Sequence, residues 1–247
     1  MSWVFISDLH LDNDQQNLLQ AFEHLLTKEL HPSHRLEGLY ILGDLCEVWV
    51  GDDDDSELIT RLRIALVAVS RKIPVFFLPG NRDFLLGEKF AKSAGIQILD
   101  DPSTIELAGT RILLAHGDVY CTADHEYQEL RKVLRSQQFK TQVLGQTLAA
   151  RRALAASLRS ESMKKNSNKA SNIMDVSPQD ISRAFVEHGV SHFIHGHTHR
   201  PGIHTERIGN EQKYRYVLGD WGTCGWLLRF DGQQFQMECF STAGLSV

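Results

Sequence analysis

Between Trp3 and Gly80, three short apolar runs alternate with two stretches of helical period. The runs are WVFIS at 3–7, GLYILG at 38–43 and PVFFLPG at 74–80. Each is short for a helix and closed by turn-forming or polar residues, so each reads as a buried strand. Between the first two, Leu18, Leu19, Phe22, Leu25, Leu26 and Leu30 fall on one helical face; between the second and third, Leu58, Leu62, Leu66 and Val69 form one stripe. This β-α-β-α-β order predicts an α/β fold built on a largely parallel sheet covered by helices.

The rest of the chain predicts a short helix near 86–94, a strand pair from IELAG and TRILLAHG, and helical composition over 124–160. The polar stretch 162–172 reads as a loop. Ser177, Pro178 and Asp180 mark a helix start, with serine as cap and proline in the first turn. KYRYVLGD, CGWLLRFD and QFQMECFS close the chain as strands. The expected organisation is one domain over 1–247 with a helical insertion over 124–172.

The strand ends carry the chemistry. HFIHGHTHRPG (192–202) places three imidazoles at i, i+2 and i+4 after an apolar run. FISDLH ends in Asp8 and His10, YILGD in Asp44, FFLPGNRD in Asn81 beside Arg82, ILLAHGD in His116, and FIHGHTH in His197 and His199. Each alone has a structural reading as a cap, a turn residue or a packed histidine. Together, five runs deliver seven oxygen or nitrogen donors to the edge where open α/β sheets collect ligands. His195 is read as support outside the donor set. On an extended segment, residues i and i+2 share a side, so Asp8/His10 and His197/His199 are each expected to present two heads to one site. Imidazole, carboxylate and one amide, with no cysteine, suit Mn²⁺, Fe²⁺, Zn²⁺ or Co²⁺. Seven donors exceed one tetrahedral ion and suit two ions sharing a carboxylate at roughly 3.5–4 Å.

Composition narrows the setting. The net charge of −5 disfavours a general nucleic-acid binder. It hides an asymmetry: Arg131–Lys169 holds ten Lys or Arg and one acidic residue, which leaves sixteen basic against thirty acidic elsewhere. Such a segment points to an anionic ligand or surface. Four scattered cysteines read as free thiols in a reducing compartment. No basic, apolar leader and no long apolar span is present, so a cytoplasmic protein is expected, with membrane-surface attachment open. Asp52–Asp55 reads as a solvated loop, with Asp52 near the site's outer shell.

The ordered set D-x-H (8–10), G-D (43–44), G-N (80–81), H (116) and G-H-x-H (196–199) resembles the calcineurin-like metallophosphoesterase superfamily. The resemblance implies a sandwich of two β-sheets flanked by helices, with a two-metal site. Asp8, His10, Asp44 and His199 would hold one ion. Asp44, Asn81, His116 and His197 would hold the other, with Asp44 as bridge. Many relatives carry histidine where this chain has Arg82. That departure, with GDLCEVWVGDDD, HGDVYCTAD and the basic insertion, resembles the branch that hydrolyses the pyrophosphate of UDP-2,3-diacylglucosamine in lipid A biosynthesis. That branch implies two Mn²⁺ ions and work at the cytoplasmic face of the bacterial inner membrane. It also implies catalytic roles for Asp44, Asn81 and Arg82, and substrate contacts at Asn81, Arg82, Asp124, Ser162, Asn166, Lys169 and His197. The insertion is then expected to act as a lid, with an apolar face for acyl chains and a basic face for anionic headgroups. No obligate protein partner is indicated. The rival readings are a phosphodiesterase or nucleotide pyrophosphatase on a non-lipid substrate, and a binding scaffold that keeps the fold without catalysis.

Overall fold

The computed structural model describes residues 1–29, 35–166 and 175–243. In chain order, β1 (Ser2–Ile6), α1 (Gln16–Glu29), β2 (Leu36–Ile41), α2 (Glu57–Ser70) and β3 (Val75–Phe77) follow the alternation of the first half. Next come α3 (Glu88–Ala94), β4 (Gln97–Ile98), β5 (Ser103–Leu107) and β6 (Thr110–Leu114). Three helices succeed them, α4 (His125–Arg135), α5 (Gln137–Leu144) and α6 (Leu148–Asn166). The chain closes with α7 (Pro178–His188), β7 (His192–His195), β8 (Gly202–Ile208), β9 (Glu211–Val217), β10 (Cys224–Phe230) and β11 (Phe235–Ser241).

Two sheets result, ordered β11-β10-β1-β2-β3-β4 and β5-β6-β7-β9-β8. The β1–β4 block is parallel throughout, and β10 and β11 extend it antiparallel. Side-chain alternation explains why the strands are apolar on both faces. In β1, Val4 and Ile6 pack with α1–α3, while Phe5 joins Tyr40, Leu114, Ile194 and Leu228 between the sheets. In β6 and β7, Ile112, Leu114 and Ile194 face that same central layer, while Leu113 and Phe193 meet Phe185 and Ile181 of α7. The layers are therefore helix, sheet, sheet, helix. All of β1, β2, β3, β6 and β7 end toward one edge, joined there by backbone bonds such as Asp8 N–H to Gly43 O and Gly196 N–H to His116 O.

The helix starts follow their chemistry. The Ser56 hydroxyl accepts from Ile59 N–H to cap α2, and Ser177 accepts from Asp180 N–H to cap α7. Two expectations change. Ser162 to Asn166, read as loop from their polarity, continue α6, whose earlier Ala and Leu residues carry the helix onward. The strand β8 escaped notice because it lies at a sheet edge with mostly exposed, polar side chains.

Candidate active site

Five of the seven donors meet at the common strand ends through two tight groups that share Asp8. The donor atoms of Asp8, His10 and His199 lie within 4.8 Å of one another, and so do those of Asp8, Asp44 and His116. Asp8 belongs to both groups, and Asp44 reaches from one toward the other: its Oδ1 lies 3.7 Å from His116 Nε2 and its Oδ2 4.0 Å from His10 Nε2. Asn81 Oδ1 sits 2.8 Å from His116 Nε2 and 2.9 Å from His197 Nδ1, which brings in the remaining donors.

The route to this convergence differs from the extended i, i+2 geometry. Asp8, His10, Asp44, His197 and His199 all take positive φ, between 49° and 66°. Asp and His tolerate this left-handed region better than β-branched residues do. The backbone thus curls after each strand, turning consecutive donors inward. Neighbours fix the heads. Asp8 Oδ2 accepts from Ser7 Oγ at 2.6 Å and His197 N–H at 2.9 Å. Asp83, buried, accepts from the amides of Leu45 at 2.7 Å and Gly80 at 2.8 Å, cinching the two loops that present Asp44 and Asn81. His116 Nδ1 lies 2.9 Å from the Leu42 carbonyl, which can only accept, so this nitrogen carries the proton and Nε2 faces the site.

Charge is shared tightly here. Burial alone would raise the Asp8 carboxyl, but the neighbouring imidazoles of His199, His116 and His10 hold it below the usual range. Burial opposes charge on His10, yet Glu47, Asp44 and Asp8 push it up to about 9. Asp44, Asp8 and Asp118 likewise carry buried His116 to about 9. Burial and the His116 charge push His197 down to about 4.

These residues fit divalent cations. Asp8 belongs to both donor groups, and its Oδ1 is buried without a hydrogen-bond partner. An orphaned carboxylate oxygen ringed by imidazoles is costly unless a cation completes it.

The surroundings sort the other expectations. The Arg82 backbone N–H donates to Asp44 Oδ1 at 2.8 Å, and its guanidinium lies 3.7 Å from Glu47. Asp124 caps α4 by accepting from Tyr127 N–H at 3.1 Å. Ser162 and Asn166 lie on the last turns of α6, their side chains outside the described residues, as is all of Lys169. His195 stands apart from the donors, buried against Gly196 O and Arg215. Asp52 is not an outer-shell group: it accepts from Trp49 Nε1, Gly87 N–H and Phe90 N–H, and so holds the start of α3.

A cavity of about 180 Å³ opens beside Asn81 and Arg82. Trp49, Val50, Phe84 and Leu85 form its inner wall; Leu130, Leu134, Phe139, Val143, Leu154 and Leu158 of α4–α6 form the outer one. The basic residues of these helices largely face the body. Arg131 meets Asp118 at 2.8 Å and Asp101 at 2.9 Å. Arg135 donates to Gly80 O at 3.0 Å, Arg151 to Val50 O at 2.6 Å, Arg152 pairs with Asp54 at 2.6 Å and Arg159 with Glu47 at 3.0 Å. The charge asymmetry of the sequence is therefore largely complementarity between the helices and the acidic body. It corrects the free basic face and the solvated reading of Asp54, while Asp53 stays exposed although it pairs with Arg151. Sequence reasoning missed Glu47, Asp83, Asp118 and Tyr127, whose Oη donates to Asp118 Oδ2 at 2.5 Å. Glu47, Asp83 and Asp118 follow strand-end motifs, but nothing local marks a supporting carboxylate from a turn residue.

The family model of calcineurin-like phosphoesterases matches residues 1–201. The chain belongs to the calcineurin-like phosphoesterase family. Within the curated proteins it is similar to calcineurin-like phosphoesterases named UDP-2,3-diacylglucosamine hydrolase. One, from Xanthomonas oryzae pv. oryzae (strain PXO99A), is 43% identical across 98% of this chain and 100% of its own. Another, from Pseudomonas fluorescens (strain SBW25), is 42% identical across 96% of this chain and 94% of its own. The two-sheet calcineurin-like phosphoesterase fold also matches the solved structure of an archaeal phosphodiesterase, with TM-score 0.50 and 12% identity over 97% of this chain and 100% of that one.

Proposed function

We propose that the chain hydrolyses the pyrophosphate of UDP-2,3-diacylglucosamine at the α-phosphorus, giving UMP and 2,3-diacylglucosamine 1-phosphate. The observation that carries this reading is an apolar cavity, lined in part by Asn81 and Arg82, beside converging hard or borderline donors that Asn81 itself touches. The names of the full-length relatives support the same substrate.

Asp8, His10, Asp44 and His199 hold one cation, and Asp44, Asn81, His116 and His197 the second; the donor set suits Mn²⁺. Two such ions supply charge neutralisation of the phosphoryl oxygens and a water made nucleophilic near neutral pH. The protein does the rest. Arg82 presents a planar, permanently charged donor fork to a phosphate oxygen, a role imidazole fills poorly. Asn81 and His197 orient the same phosphate edge. Helices α4–α6 act as a lid whose apolar wall shelters acyl chains, while Asp124, Ser162, Asn166 and Lys169 contact the head of the substrate. No helix among the described residues is long and apolar enough to cross a membrane. Attachment to the cytoplasmic face of the inner membrane instead uses Leu130, Val133 and Leu144, large apolar side chains exposed on the lid.

Hydrolysis of the lipid nucleotide, a dinucleoside polyphosphate, a cyclic nucleotide and a small chromogenic diester is compared for the native chain and Leu154→Asp. The lipid nucleotide is expected to be turned over fastest, with its KM alone rising in the variant. Equal turnover of a non-lipid substrate, or equal loss on all four, overturns the lipid reading.

A further inference from the structure

Glu47 is a carboxylate that the proposed reaction has not used. It follows β2, its backbone N–H donates to Leu11 O at 3.0 Å, and its side chain is only 12% exposed. Its two oxygens face different partners. Oε2 lies 2.8 Å from His10 Nδ1. Oε1 lies 3.0 Å from Arg159 Nε and 3.7 Å from Arg82 Nη1. One side chain therefore touches a metal-ligand candidate, the guanidinium assigned to phosphate, and a helix of the lid.

Each contact has a physical consequence. An imidazole can bind a cation through either ring nitrogen, and the bond made by the other nitrogen decides which. With the Glu47 carboxylate in close ion-pair contact with Nδ1, Nε2 is the nitrogen left facing the site, 3.2 Å from His199 Nε2. The carboxylate also makes the ring a stronger donor. On the other oxygen, Arg82 and Arg159 share one negative charge in a half-buried setting, which restrains two long side chains that would otherwise sample many rotamers.

We propose that Glu47 is a positioning residue: it locks the His10 ring with Nε2 toward the cation and, through its second oxygen, holds Arg82 and helix α6 in register with the metal site. This rests on the metal reading of the site given above.

The test has two arms. Mn²⁺ binding is measured by calorimetry on the native chain and on Glu47→Gln, which keeps size and removes charge. The variant is expected to bind one ion about 10- to 100-fold more weakly, the range typical of lost support to a metal-bound histidine, and to show a raised KM for the lipid nucleotide. In the native chain loaded with Zn²⁺, imidazole NMR is expected to find the His10 ring proton on Nδ1, a readout that does not depend on the variant folding. Native Mn²⁺ binding with unchanged affinity in Glu47→Gln overturns the role of Glu47 alone, as does a ring proton on Nε2. Absence of Mn²⁺ binding by the native chain overturns the metal reading and this role with it.

Discussion

Gly80→Ala tests the site through a single methyl group. A Cβ at this position would lie 2.1 Å from Asp44 Oδ1 and 2.3 Å from Asp44 N. Ordinary contact begins near 3.4 Å, so carboxylate and backbone must retreat by about 1 Å. The Asp44 backbone cannot swing aside freely, because its amide faces Asp83 Oδ1 at 3.3 Å and its carbonyl accepts from His10 N–H at 3.0 Å. Strain of this kind costs about 1–3 kcal/mol, which leaves a domain of ordinary stability mostly folded and lowers Tm by roughly 2–12 °C. Function suffers more, since a 1 Å misplacement of a positioned group costs on the order of 10²-fold in rate. The assay is kcat/KM on UDP-2,3-diacylglucosamine at saturating Mn²⁺, with circular dichroism melts alongside. Gly222→Ala is the control, as its added Cβ meets nothing within 4 Å. Gly80→Ala within threefold of native kcat/KM refutes the reasoning that Asp44 is held to sub-ångström position.

Asp44→Ala is expected to abolish turnover, whereas Arg82→Ala lowers kcat by at least tenfold and keeps bound metal, as measured by metal analysis of each purified variant. The pH response follows from His10 and His116, both pushed up to about 9 by the neighbouring carboxylates against their own burial. Chelator-stripped protein holds two protons that the unfolded chain loses above about 6.5. The stability they lend is therefore full below about 6.5 and is lost as pH rises through 9. Metal replaces those protons, so the gain in Tm on adding Mn²⁺ is expected to widen from pH 6.5 to 9; a narrowing gap contradicts it. Arg151, 4% exposed, joins α6 to Val50 O, so Arg151→Ala should cost about 1–3 kcal/mol through the unpaired carbonyl and speed amide exchange over 148–160, read by mass spectrometry.

The parallel block was legible because its strands are buried on both faces and its helices carry unbroken stripes such as Leu58, Leu62 and Leu66. The convergence of these seven side chains was legible because each stands shortly after an apolar run, and parallel strands bring their ends to one edge. The left-handed turns at Asp8, His10, Asp44, His197 and His199 were not legible, since nothing in DLH or HTH spells φ. The pairing of Arg151 with Asp53 and of Arg131 with Asp118 was also hidden. Such contacts join residues far apart in sequence, and charge counts register an excess without its destination. Strand β8 went unseen for a related reason: an exposed edge strand has no hydrophobic period to betray it.

The measurement closest to the heart of the account is hydrolysis of UDP-2,3-diacylglucosamine in ¹⁸O-enriched water, with products resolved by ³¹P NMR and mass spectrometry. The account requires one heavy oxygen in UMP and none in the lipid phosphate. Heavy oxygen in the lipid phosphate, or no UMP from Mn²⁺-loaded protein, contradicts it.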